Sequence, residues 1–195
     1  MTTETPSILI VEDEPDLAAL YTAWLEDEYD VETATRGTAA LDAIDDTIDI
    51  VLLDRRMPDL SGDTVLETVR ERSLGCQVAM VTAIEPDFDI VELGFDDYLV
   101  KPVSQGELTD VIEQLRLRAT YDEQLQELFM LASKKALLDE RKTEAERQSS
   151  QGYAELTDRL AVRRARVDET VTELLERDGY RQVCQDIARD SLVDK

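Results

Sequence analysis

Five polar residues stand directly after short apolar runs, and their types belong together chemically. Ser7–Val11 is followed by Glu12 and Asp13, Ile50–Leu53 by Asp54, Cys76–Val81 by Thr82, and Tyr98–Val100 by Lys101. If the runs are parallel strands, these side chains gather beyond the carboxyl edge of one sheet, where open α/β sheets collect ligands. Three clustered carboxylates repel one another and call for a cation, and oxygen-only ligands favour Mg²⁺. Such an ion leaves positions open for phosphate oxygens, which Thr82 and Lys101 are suited to hold. The central carboxylate, Asp54, is then a nucleophile toward phosphorus, giving an aspartyl phosphate. Alone, Asp54 would read as a strand-end carboxylate capping a loop; its company makes it a candidate for chemistry. The chain has no histidine, which excludes histidine-based hydrolysis and a histidine zinc site.

Such a site needs a parallel sheet with crossover helices, and residues 1–119 supply the pattern. Glu14–Glu28 places Leu17, Leu20, Tyr21, Trp24 and Leu25 on one helical face. Val31–Ala34 reads as the second strand, and a helix follows Gly37 through Leu41 and Ile44. Ile50–Leu53 is wholly apolar, as a central strand covered on both faces should be. Gly62–Arg72 is helical with Val65, Leu66 and Val69 inward, Pro86–Gly94 has room for only a short helix, and a further helix starts at Gln105. Five strands with intervening helices predict a five-stranded, doubly wound parallel α/β sheet.

Residues 120–195 predict a small all-helical second domain. No proline follows Pro102 and no glycine lies between Gly106 and Gly152, so the last helix of the first domain can run straight into the second. Tyr121, Leu125, Leu128, Phe129, Leu131, Ala132 and Leu138 supply its apolar face. Ser149–Gly152 signals a turn, after which Leu156, Leu160, Val167, Val171 and Leu174 form one stripe. Asp178-Gly179 ends that helix, and Tyr180, Val183, Cys184 and Ile187 suit a short terminal one. Heptads fail at Lys135 and Arg141, so an antiparallel hairpin is expected in place of a long parallel coiled coil. Arg159, Arg163 and Arg166 share a face, read as solvated and paired with Glu140, Glu144 and Glu146 of the preceding helix.

The 195 residues carry 45 acids and 21 bases, a net charge of −24. Residues 1–118 hold 28 acids and 8 bases, residues 119–195 only 17 and 13, so the two parts present different surfaces. This balance repels phosphate backbones and disfavours nucleic acid as a partner. Acid excess with only five lysines suits concentrated salt, since at ~1 M the Debye length falls to roughly 3 Å. No apolar run approaches the ~20 residues that span a bilayer, and MTTETPS is not a secretion signal. Cys76 and Cys184 offer no disulfide framework and read as apolar fillers. A soluble, cytoplasmic protein with no membrane partner is expected.

Glu12-Asp13, Asp54-Arg-Arg-Met57-Pro58 with Gly62, Thr82-Ala83 and Tyr98-Leu-Val-Lys101-Pro102 resemble, in order, the receiver domain of two-component response regulators. The resemblance covers residues 7 to about 118. Tyr121-Asp-Glu-Gln, Leu131-Ala-Ser-Lys-Lys-Ala136 and Tyr153-Ala-Glu-Leu156 resemble the helical HalX output domain of haloarchaeal response regulators, in keeping with the charge. The resemblance implies a flavodoxin-like fold in which Asp54 accepts a phosphoryl group from a phosphohistidine on a sensor histidine kinase. It implies that Asp13 contacts Mg²⁺ directly, Glu12 acts through water, and the backbone carbonyl of Arg56 completes the protein ligands. Thr82 would hydrogen-bond the phosphoryl group, Lys101 would pair with it, and Tyr98 would be an aromatic switch that turns inward as Thr82 moves. A cis Lys101–Pro102 bond is in keeping with the family. One departure is Ile84–Asp89, acidic and proline-bearing where a regular helix is usual, which puts a standard dimer face there in doubt.

Three functions compete. The first is a signalling switch whose helical domain contacts another protein or a second copy of the chain, with no catalysis beyond Mg²⁺-dependent self-phosphotransfer and slow self-dephosphorylation. The second is a DNA-binding transcription regulator, against which stands the lack of a short Gly-containing turn before a basic recognition helix. The third is an aspartate-nucleophile phosphohydrolase, which would usually place a second acid where this chain has Arg56.

Overall fold

The computed structural model describes residues 5–176. Its aliphatic runs form strands: β1 (Ser7–Val11), β3 (Ile50–Leu53) and β4 (Gln77–Thr82) are buried along nearly their whole length. β2 (Asp30–Ala34) and β5 (Asp97–Val100), at the edges, are more exposed. All pairs are parallel, in the order β2-β1-β3-β4-β5. The five-stranded doubly wound sheet expected from sequence is therefore present, and its strand order reverses between β1 and β3, the place where such sheets bind ligands.

Strand alternation sends side chains to two faces, and each face has its own cover. Leu9, Val11, Val51, Leu53, Val78 and Met80 pack under α2 (Gly37–Ala43) and α3 (Gly62–Glu71). Ile8, Ile10, Ile50, Leu52, Ala79 and Val81 pack under α1 (Pro15–Leu25) and the first turns of α4 (Gln105–Arg141). Between β4 and β5 lies only a 3₁₀ turn, Phe88–Glu92, whose first amide donates to the Asp87 carboxylate at 2.7 Å. This matches the short helix that Pro86–Gly94 could accommodate.

The chain divides into two compact units between Leu115 and Arg116. α4 is unbroken for 37 residues, as the absence of glycine and proline allows. In the second unit it is followed by α5 (Glu144–Gln148) and α6 (Gln151–Glu176). Gln124 accepts from the Thr170 hydroxyl at 3.0 Å, Arg163 meets Glu127 at 2.7 Å, and Tyr153 donates to Asp139 at 2.5 Å. The middle of α4 thus meets the later part of α6 and the end of α4 meets the start of α6, the expected antiparallel hairpin. Two details differ from the sequence reading. The first helix stops at Arg141 because Thr143 and Glu146 form a reciprocal capping box that starts α5. Two of the three arginines, Arg163 and Arg159, meet Glu127 in place of Glu140, Glu144 and Glu146, with Arg159 at 3.7 Å from that carboxylate. The terminal helix expected around Tyr180, Val183, Cys184 and Ile187 lies outside the described residues.

Candidate functional site

The carboxyl edge of the sheet gathers the predicted side chains. Asp54 follows β3, and its amide donates to the Val11 carbonyl at 2.8 Å, which ties the end of β3 to the end of β1. Glu12, Asp13 and Asp54 each place a carboxylate oxygen within 4.8 Å of the others, with Glu12 and Asp54 buried and Asp13 half-buried. Lys101 follows β5, and its Nζ donates to Glu12 Oε2 at 2.6 Å and to Asp54 Oδ2 at 2.9 Å. The Lys101 amide donates to the Thr82 carbonyl at 2.8 Å, so the ends of β4 and β5 are also locked together. The Lys101–Pro102 peptide is cis, in keeping with the resemblance.

Local packing fixes Asp54 further. The Gly62 amide donates to the Arg55 carbonyl at 2.9 Å, and a Cβ at Gly62 would collide with the Asp54 carbonyl oxygen. Glycine is required there because the loop after β3 presses directly on the start of α3. Arg55 Nε donates to both carboxylate oxygens of Asp63, at 2.9 and 3.1 Å, in an ion pair that pins the same loop. The Arg56 amide donates to Asp54 Oδ1 at 3.2 Å.

Electrostatics explain the pairing. Burial pushes the Glu12 carboxyl above its usual range, against the Lys101 hydrogen bond that draws it down. Burial also works against charge on Lys101, but its hydrogen bonds to Glu12 and Asp54 outweigh that, and its pKa is raised. The ammonium contacts two acids but offsets only one unit of charge, while three carboxylates converge. An all-oxygen cluster with that charge deficit fits a hard divalent ion such as Mg²⁺. The crevice, of about 540 Å³, is also lined by Glu14, Arg56, Ala83, Ile84 and Glu85.

Thr82 and Tyr98 meet through a residue that sequence reasoning did not single out. The Ile84 amide donates to Thr82 Oγ1 at 3.4 Å, and the Tyr98 hydroxyl donates to the Ile84 carbonyl at 2.9 Å. Tyr98 is half-buried against Phe95, with ring centroids 5.4 Å apart. Nothing in the side chain of Ile84 announces this role, because both contacts are made by its backbone.

A parallel sheet in this order, with acids and a lysine at its carboxyl edge, defines a receiver-type α/β domain. Residues 8–113 match the response regulator receiver domain, more than half of the chain, and the chain belongs to that family. Residues 117–184 match the HalX domain. Among curated proteins, a putative transcriptional regulator of Haloferax volcanii is 49% identical over 159 residues, covering 81% of this chain and 27% of that protein. Transcriptional regulatory protein CpxR of Escherichia coli is 40% identical over 123 residues, covering 61% of this chain and 53% of its own length. The chain thus spans from about a quarter to about half of these relatives. Among solved structures, the receiver domain of a putative LuxO repressor from Vibrio parahaemolyticus aligns with a TM-score of 0.56 and 28% identity, covering 60% of this chain and 95% of that one. Response regulator TrrA from Thermotoga maritima, solved in complex with Mg²⁺ and BeF, aligns with a TM-score of 0.50 and 30% identity, covering 56% and 98%. Among the described residues no helix is long and apolar enough to cross a membrane.

Proposed function

We propose that this chain is a cytoplasmic response regulator of a two-component phosphorelay, with its receiver in residues 1–119 and a helical output domain in residues 120–195. The observation that carries this reading is the convergence of Glu12, Asp13 and Asp54 on one crevice with Lys101 bridging two of them. Asp54 is the phosphoryl acceptor. One of its carboxylate oxygens attacks the phosphorus of a phosphohistidine on a sensor histidine kinase. The O–P bond forms as the P–N bond breaks, and the imidazole nitrogen keeps the electron pair and takes up a proton. Asp13, Asp54 and the Arg56 carbonyl would hold Mg²⁺, with Glu12 acting through water; when bound, the ion offsets charge on the transferring phosphoryl group.

Once Asp54 is converted to its acyl phosphate, its carboxylate charge is replaced by ~1.5–2 negative charges spread over phosphoryl oxygens. Lys101 already reaches Asp54 and pairs with the new oxygens, and Thr82 turns its hydroxyl toward them. Tyr98 follows because it shares Ile84 with Thr82. The output domain then signals by contact with another protein. The turnover is limited to this self-phosphotransfer and slow self-dephosphorylation, since Arg56 stands where a phosphohydrolase would keep its second acid.

The test is to incubate the full chain with Mg²⁺ and a small acyl phosphate and read its intact mass. One phosphoryl increment is expected for the wild type and none for Asp54→Asn; equal labelling of both proteins would overturn the assignment. DNA binding is the second reading, favoured by the regulator names of the relatives. Duplex binding that weakens with salt and is lost on deleting the helical domain would move the output there.

A further inference from the structure

α4 carries apolar residues on two opposite faces of its second half. One face carries Leu131, only 2% exposed. The other leaves Phe129, Met130 and Leu137 at 65%, 51% and 57% exposure. Gln126, Phe129, Met130, Ser133, Ala136, Leu137 and Glu140 all project within an arc of roughly 120° opposite Leu131, from the 100° turn per residue of an α-helix. That arc is as broad as the apolar stripe that a surface helix normally buries.

The spacing of this stripe is symmetric about Ser133. Counting outward, Met130 mirrors Ala136, Phe129 mirrors Leu137, and Gln126 mirrors Glu140. A two-fold axis through Ser133 therefore sets each large apolar side chain against an apolar one on an antiparallel second helix. The small serine falls where the backbones come closest, and Gln126 can donate its amide to Glu140. No like charges are opposed among these mirrored pairs. The first part of the chain holds 28 acids against 8 bases and repels its own kind, whereas the second, with 17 and 13, can meet a copy of itself.

We propose that the outer face of α4, centred on Ser133, is an isologous homodimer interface between two copies of this chain. A contact stripe of ~21 Å of helix, at 1.5 Å per residue, makes a small interface. It belongs at the low end of the size range for specific association, and a micromolar Kd is expected.

Sedimentation of the full chain over a concentration series tests this. Wild type should pass reversibly from monomer to dimer, and Phe129→Glu or Leu137→Glu should raise Kd by about 100-fold, since two-fold symmetry makes each change count twice. Both sites are solvent-facing, so circular dichroism should show unchanged helicity. Asp54→Asn should leave the dimer intact, which separates this inference from the phosphorylation reading. In a Cys184→Ser background, Ser133→Cys should form an intermolecular disulfide quickly and Gln126→Cys should not. A monomer at every concentration would overturn the proposal, as would a dimer indifferent to both glutamates or one that crosslinks equally at 126 and 133.

Discussion

The receiver unit and the helical hairpin use charge in opposite ways. At the carboxyl edge of the sheet, Lys101, its side chain only 12% exposed, lies between the buried Glu12 and Asp54 at 2.6 and 2.9 Å, largely away from solvent screening. In the hairpin, Asp139 gathers Lys135, Arg147 and Tyr153 at the surface, each within 2.6 Å. Water and salt weaken the second arrangement, and pairs of that kind contribute little individually. Buried ions are costly, and removing one partner strands the other. A protein that hides one lysine among three acids has its most sensitive group where the proposed chemistry happens.

Breaking the buried arrangement should therefore have the largest effect. Lys101→Met leaves Glu12 and Asp54 facing each other without a cation and should cost about 3 kcal/mol in Mg²⁺-free buffer. Urea unfolding measures it, and added Mg²⁺ should restore part of the loss. Gly62→Ala comes next: its methyl group meets the Asp54 carbonyl, so the loop must shift, at a cost of about 2 kcal/mol. A parallel fall in the rate of acyl phosphate labelling would sharpen the comparison by tying stability and chemistry to the same loop.

The hairpin should respond more mildly. Thr143→Ala removes the cap of α5 and should cost about 1 kcal/mol, visible as a small loss of helix on heating. Smallest is the effect of acid on Asp139, whose carboxyl is held well below its usual range, first by Lys135 and then by Tyr153 and Arg147. Its folded pKa lies below the unfolded value near 4, so its contribution is present above that pH and fades as pH falls below it. Asp139→Asn should flatten that part of the acid-unfolding profile. An unchanged profile would show that the surface cluster contributes nothing measurable.

Much of the receiver was legible because two independent signals coincide there. Apolar runs such as Ile50–Leu53 marked buried strands, and a parallel sheet sends the residue after each strand to the same edge. The types at Glu12, Asp13, Asp54 and Lys101 then narrowed the chemistry. What stayed hidden was made by backbone or by register. Ile84 joins Thr82 to Tyr98 through its peptide groups, which a side-chain reading passes over. The partner of Arg163 depends on how the hairpin aligns: Glu140, Glu144 and Glu146 lie nearer in sequence, but the register selects Glu127. The Thr143–Glu146 box is a visible Thr-x-x-Glu signal, masked by the stronger turn signal of Ser149–Gly152 a few residues on.

The grip on Ile84 from both sides has a practical consequence. Its amide proton points at the Thr82 hydroxyl and its carbonyl receives the Tyr98 phenol, so the two peptide groups flanking one residue each sense one partner. If the threonine swings away on phosphorylation, that proton loses its acceptor and its NMR resonance should move upfield. The tyrosine's release of the carbonyl should register on the Ile84 carbonyl carbon, in the next peptide group. A single residue labelled at both its nitrogen and its carbonyl carbon could then time the two movements against each other and reveal which one leads.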